Sequence, residues 1–90
     1  MNERPQTTNL HIEVKALAGS DIPRDIIPEM VRLADKLGIS VEASLNDVKT
    51  IAYPGDDSFH LAVAWRRQLS SKCSHPMAFA RDGKRLMEQP

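Results

Sequence analysis

Ninety residues set the limit at one compact domain, since a chain this short buries only about 60% of the surface that its unfolded form exposes. Twelve basic residues against twelve acidic ones give a formal charge of zero, which excludes gross electrostatic attraction to nucleic acid or membrane. The lone Cys73 excludes an intramolecular disulfide, so the fold stands on its core or on a partner and a reducing compartment is expected.

Residues Met1 to Thr8 are polar with one proline and no apolar period, too little to repay the entropy of ordering. Residues 1–9 are therefore predicted to be a flexible arm. No segment approaches the roughly 18 consecutive apolar residues of a membrane span, and the start lacks the apolar stretch of a secretory signal. A chain neither exported nor inserted is expected, hence cytoplasmic.

Leu10, Ile12, Val14 and Ala16 alternate with His11, Glu13 and Lys15, the period of a half-buried strand. Ala18 to Asp21 then supply a turn and a capping side chain. A helix from near Ile22 follows, with Ile22, Ile26, Met30, Leu33 and Leu37 as its apolar stripe and Gly38 free to end it in the left-handed conformation. Pro28 removes a hydrogen bond to Arg24 and crowds it, so a kink is expected there, or a first turn that restarts with Pro28 near its beginning.

Ile39, Val41, Ala43 and Leu45 alternate again, and after Asn46-Asp47 the run Val48 to Tyr53 reads as a third strand. Asn and Asp tolerate positive φ, so a two-residue hairpin is predicted. It pairs Leu45 with Val48, Ala43 with Thr50 and Val41 with Ala52, all facing inward. The outward face would then carry His11, Glu13, Lys15, Glu42, Ser44 and Lys49, together with apolar Ile51 and Tyr53.

Pro54-Gly55 closes the strand, and Asp56-Asp57-Ser58 caps a second helix. Phe59, Ala62, Trp65 and Leu69 form its expected buried stripe, with Arg66 inside it and obliged to snorkel. Ser70 to Pro76 end the helical region, and Asp82-Gly83, with Phe79 and Leu86 as anchors, suggests a weak hairpin or an unstructured tail over residues 73–90. The predicted class is α+β: a two-layer βαββα sandwich over residues 10–72, with a three-stranded mixed sheet and two helices on one face.

Charge is segregated: residues 1–60 hold six Lys/Arg against ten Asp/Glu, whereas Arg66, Arg67, Lys72, Arg81, Lys84 and Arg85 face only Asp82 and Glu88 after residue 60. Cys73 and His75 supply two ligands at most where a structural zinc needs four. Cys73 also lacks an orienting carboxylate, and Asp56-Asp57 read as helix caps before catalytic acids. Gly19 and Gly55 stand alone, without the further glycines or the lysine of a phosphate loop. No catalytic residue, metal site or cofactor is assigned, and an enzyme is not expected.

The stretch Ile39 to Asp57, with Asn46-Asp47-Val48 and Ala52-Tyr53-Pro54-Gly55-Asp56, resembles small uncharacterised accessory proteins encoded by bacteriophages and prophages, over residues 10 to 72. The resemblance implies an accessory or anti-defence role in the cytoplasm of a bacterial host, and it carries no functional residues over.

The leading expectation is a non-enzymatic protein-interaction module, an inhibitor that binds a host or defence component through the open sheet face (Glu42, Lys49, Ile51 and Tyr53) or through the basic end (Arg66, Arg67, Lys72, Arg81, Lys84 and Arg85). Pairing an exposed sheet edge across a two-fold axis would also make a homodimer. The alternatives are a nucleic-acid-binding regulator that uses the basic end, and a small-ligand or nucleotide-binding protein working at a subunit interface.

Overall fold

The computed structural model describes residues 11–15 and 21–88. The expected arm and the turn before Asp21 lie outside them. Among the described residues, strands β1 (His11–Glu13), β2 (Ser40–Leu45), β3 (Val48–Ala52) and β4 (Met77–Phe79) form one mixed sheet in that order, with helices α1 (Ile27–Leu37), α2 (Ser58–Leu69) and α3 (Ala80–Met87). The α+β class holds. The three-stranded sheet with two helices does not, because the expected tail adds both β4 and α3.

The entry to α1 shows what Pro28 does. Asp21 accepts the Arg24 N–H at 3.0 Å as a cap. Pro28 has no N–H to give and its ring crowds the preceding turn, and the chain answers by widening. Ile26 N–H donates to the Asp21 carbonyl at 3.2 Å and Ile27 N–H to that of Ile22, so Ile22–Ile26 is a π-helical turn running into α1. Gly38 ends the helix at φ 73°, its N–H donating to Ala34 at 2.8 Å. Ile27, Met30, Val31 and Ala34 are buried, while Leu37 at the far end of the expected stripe is exposed.

The central hairpin forms in the expected register, Leu45 opposite Val48, Ala43 opposite Thr50 and Val41 opposite Ala52. Asn46 and Asp47 take φ of 51° and 67°, the two positive values that a tight hairpin turn demands. All six of these inward side chains are buried. The one hydroxyl among them, on Thr50, donates to the Val48 carbonyl at 3.1 Å, which removes the cost of burying it unpaired.

Asp57 caps α2 by accepting the Phe59 N–H at 2.8 Å. Leu61, Ala62, Ala64 and Trp65 are buried, and the Trp65 indole N–H donates to the Leu45 carbonyl at 3.0 Å, tying α2 to the hairpin. Phe59, expected in the core, is instead 59% exposed, and Leu69 is exposed too. The reason is α3. It packs along α2, so α2 is covered by the sheet on one side and by a helix on the other, and its buried stripe rotates toward Ala64 and away from Phe59.

Within α3, Ala80 and Gly83 are buried against α2. Gly83, read from sequence as half of a hairpin turn, is the point of closest helix approach: a Cβ there would stand 1.7 Å from the His60 carbonyl oxygen. β4 reaches the sheet through the Lys49 N–H, which donates to Pro76 at 3.0 Å, and runs parallel to β3 with Ala78 opposite Thr50.

β1 and β2 are parallel, β2 and β3 antiparallel, β3 and β4 parallel. α1 and α2 contact each other as well as the sheet, so both crossovers pass over one face while their strands run in opposite directions. The two connections therefore have opposite hands, and one departs from the right-handed form that such units almost always take.

Candidate binding face of the sheet

Side chains alternate across each strand, so burying Val41, Ala43, Leu45, Val48, Thr50, Ala52 and Ala78 under the helices turns Glu42, Ser44, Lys49, Ile51, Met77 and Phe79 to the reverse side. No helix among the described residues packs on that side. β1 adds Glu13, beside Glu42 in the ladder. A shallow depression of about 570 Å³ crosses this face, lined by Glu13, Lys15, Glu42, Lys49, His75 and Met77 among others.

Ile51 is the correction. It points outward as expected but is only 6% exposed, because β3 is not an edge: Glu42 on β2 and Phe79 on β4 flank it in the ladder. The apolar surface lies instead on Tyr53 at 44% and Met77 at 40% exposure, with half-buried Phe79 between the sheet and solvent. The Tyr53 and Phe79 rings are nearly parallel, 17° between planes with centroids 6.5 Å apart. The Arg81 guanidinium sits over the Phe79 ring at 4.7 Å, a favourable place for a cation on a π face.

Tyr53 is held from below by the turn that follows it. Its N–H donates to the Asp56 carboxylate at 2.7 Å and its carbonyl accepts from the Asp56 N–H at 3.1 Å. Gly55, at φ 87°, donates its N–H to Asp35 of α1 at 2.5 Å. Burial raises the Asp56 carboxyl above its ordinary value and Asp35 adds to the rise, against the lowering effects of the Tyr53 N–H and of Arg81. Asp56 thus fixes the turn, and Asp57 alone caps α2.

The face is electrostatically divided. Glu13 and Glu42 occupy the β1–β2 half, Glu42 pairing with Lys49 at 3.6 Å, while the β4 side leads to Arg81, Lys84 and Arg85 on α3. The six late cations expected to act together are not one patch. Arg66 lines a groove on the helix side with Arg24 and Phe59, Arg67 stands beside Ser70 and Ser71, and Lys72 is exposed in the loop after α2.

Sequence reasoning missed Met77 and Phe79 as members of this face. The available signal was short: Met77 and Phe79 alternating with Ala78 and Ala80 directly after Pro76. Cys73 is exposed, and no group of three or more His, Cys, Asp or Glu able to hold a metal stands together among the described residues. No helix of the described residues is long and apolar enough to cross a membrane.

No family model, curated protein or solved structure matches this chain.

Proposed function

We propose that this protein is a non-enzymatic recognition module whose binding surface is the reverse side of the sheet. One observation carries the reading: Tyr53, Met77 and Phe79 gather on a face that no described helix covers, next to charges of both signs. An apolar cluster rimmed by polar groups is the ordinary chemistry of an interaction site. The acids and bases on this side are set for binding, since Glu42 is engaged by Lys49 and Asp56 by the Tyr53 amide. In the phage setting implied by the resemblance, the bound partner is a component of the host cell or its defences.

The test is capture from bacterial lysate with tagged wild type, with Tyr53→Ser/Met77→Ser on the sheet side, and with Phe59→Ser on the helix side. Loss of the captured partner in the first variant and its retention in the second supports the reading. The reverse pattern moves the site to the helix groove and removes the sheet face from consideration.

A further inference from the structure

The occupant of this face is indicated by how its aromatics and cations are laid end to end. On α3, positions 81, 84 and 85 are spaced three and four residues apart and so share one flank of the helix, adjoining the edge where Ala80 and Gly83 are buried against α2. Arg81, Lys84 and Arg85 therefore form an exposed cationic stripe, with Glu88 at its far end. Its first member is the residue whose guanidinium covers Phe79. The stripe consequently begins where the Tyr53–Phe79 ledge ends, and no carboxylate among the described residues forms an ion pair with any of its three cations.

From this juxtaposition we infer that the β3–β4 half of the sheet binds a short single-stranded nucleic acid, one base stacked on Tyr53 and a second on Phe79 once Arg81 leaves that ring for a phosphate, with the backbone held by Arg81, Lys84 and Arg85. The inference rests on the recognition reading above. Single strands need these two elements together, an aromatic platform that accepts the π face of any base and a cationic track for the backbone. A duplex is poorly served, because its bases are not available for stacking on side chains. On the other half of the face Glu13 and Glu42 are offset by Lys15 and Lys49, which leaves no cationic track there, so the strand keeps to the β4 side and the site to the two or three bases that two rings can hold.

The experiment is fluorescence anisotropy of the full chain with labelled oligouridylate and oligothymidylate at low ionic strength, repeated as salt is raised. Binding is expected for one or both, with log K falling against log salt at a slope of about −2, the value for three phosphate contacts on a single strand. Tyr53→Leu, which keeps an apolar side chain but removes the ring, should weaken binding about tenfold or more, whereas Tyr53→Phe should retain it. Lys84→Ala/Arg85→Ala should weaken binding and flatten the salt slope.

Absence of binding by either oligonucleotide overturns the inference, as does binding that Tyr53→Leu leaves unchanged. If capture from lysate still depends on Tyr53 and Met77, the recognition face survives with a protein as its occupant. If that dependence is also absent, both readings fall.

Discussion

Gly83 in α3 and His60 in α2 meet backbone to backbone, so closely that a Cβ on Gly83 would stand 1.7 Å from the His60 carbonyl oxygen. This contact seats α3, and α3 in turn orients Arg81 over Phe79. Gly83→Ala is expected to cost about 1–3 kcal/mol or more, the range for forcing extra atoms into a packed site, and to separate α3 from α2. Chemical denaturation gives the stability loss. An unchanged midpoint contradicts the packing described.

Trp65 joins α2 to the hairpin through the Leu45 carbonyl. Trp65→Phe removes the donor and leaves a buried acceptor short of one partner, a loss of about 1–3 kcal/mol, with further cost from the smaller ring. Thr50→Val removes a hydroxyl whose partner lies two residues away in its own strand, and because shape is kept it should change stability by less than about 1.5 kcal/mol. Equal losses in the two variants would show that the indole bond has no special role.

The hairpin turn offers a gain. Asp47 sits at φ 67°, where a side chain is strained and glycine is not. Asp47→Gly makes the Asn-Gly pair that this turn type prefers and should leave stability equal or raise it by up to about 1 kcal/mol. A loss greater than that would mean the turn is not of this type.

Asp56 gives a pH dependence with a definite sign. Its carboxyl is raised in the folded protein, so the fold favours the protonated form. That contribution is fully present below the unfolded value near 3.8 and is lost as pH rises through the raised folded value. Asp56→Asn keeps an oxygen for the Tyr53 N–H and removes the charge. The melting temperature of the variant relative to wild type should therefore increase between acidic and neutral pH. A difference that shrinks over that range reverses the sign and contradicts the half-buried setting of Asp56.

Local signals made the first two thirds of the fold readable. Alternation and the Asn46-Asp47 turn set the hairpin register. Gly38 marked the end of α1, and Pro28 announced irregularity without revealing that it takes the form of a π-helical turn. Long-range packing hid the rest. Phe59 looked like core because its spacing matches Ala62, and only a third helix on the other side of α2 turns it outward. Asp82-Gly83 carried a hairpin signature, but Gly83 serves a helix crossing, which no local pattern distinguishes. Ile51 reads as outward apolar surface in the sequence, and β4, which only the short alternation after Pro76 announces, helps to cover it. Ile51 and Tyr53 both face the reverse side, but only Tyr53 is exposed there, while Met77 and Phe79 join the face only through tertiary pairing.

The most direct test of the binding face is amide chemical-shift mapping of the full chain titrated with oligouridylate. Perturbations concentrated on Lys49, Tyr53, Met77, Phe79 and the Arg81–Arg85 segment are expected, with the groove beside Phe59 and Arg66 unaffected. Shifts confined to that groove, or none at saturating oligonucleotide, would contradict the assignment of this strand-binding site to the sheet.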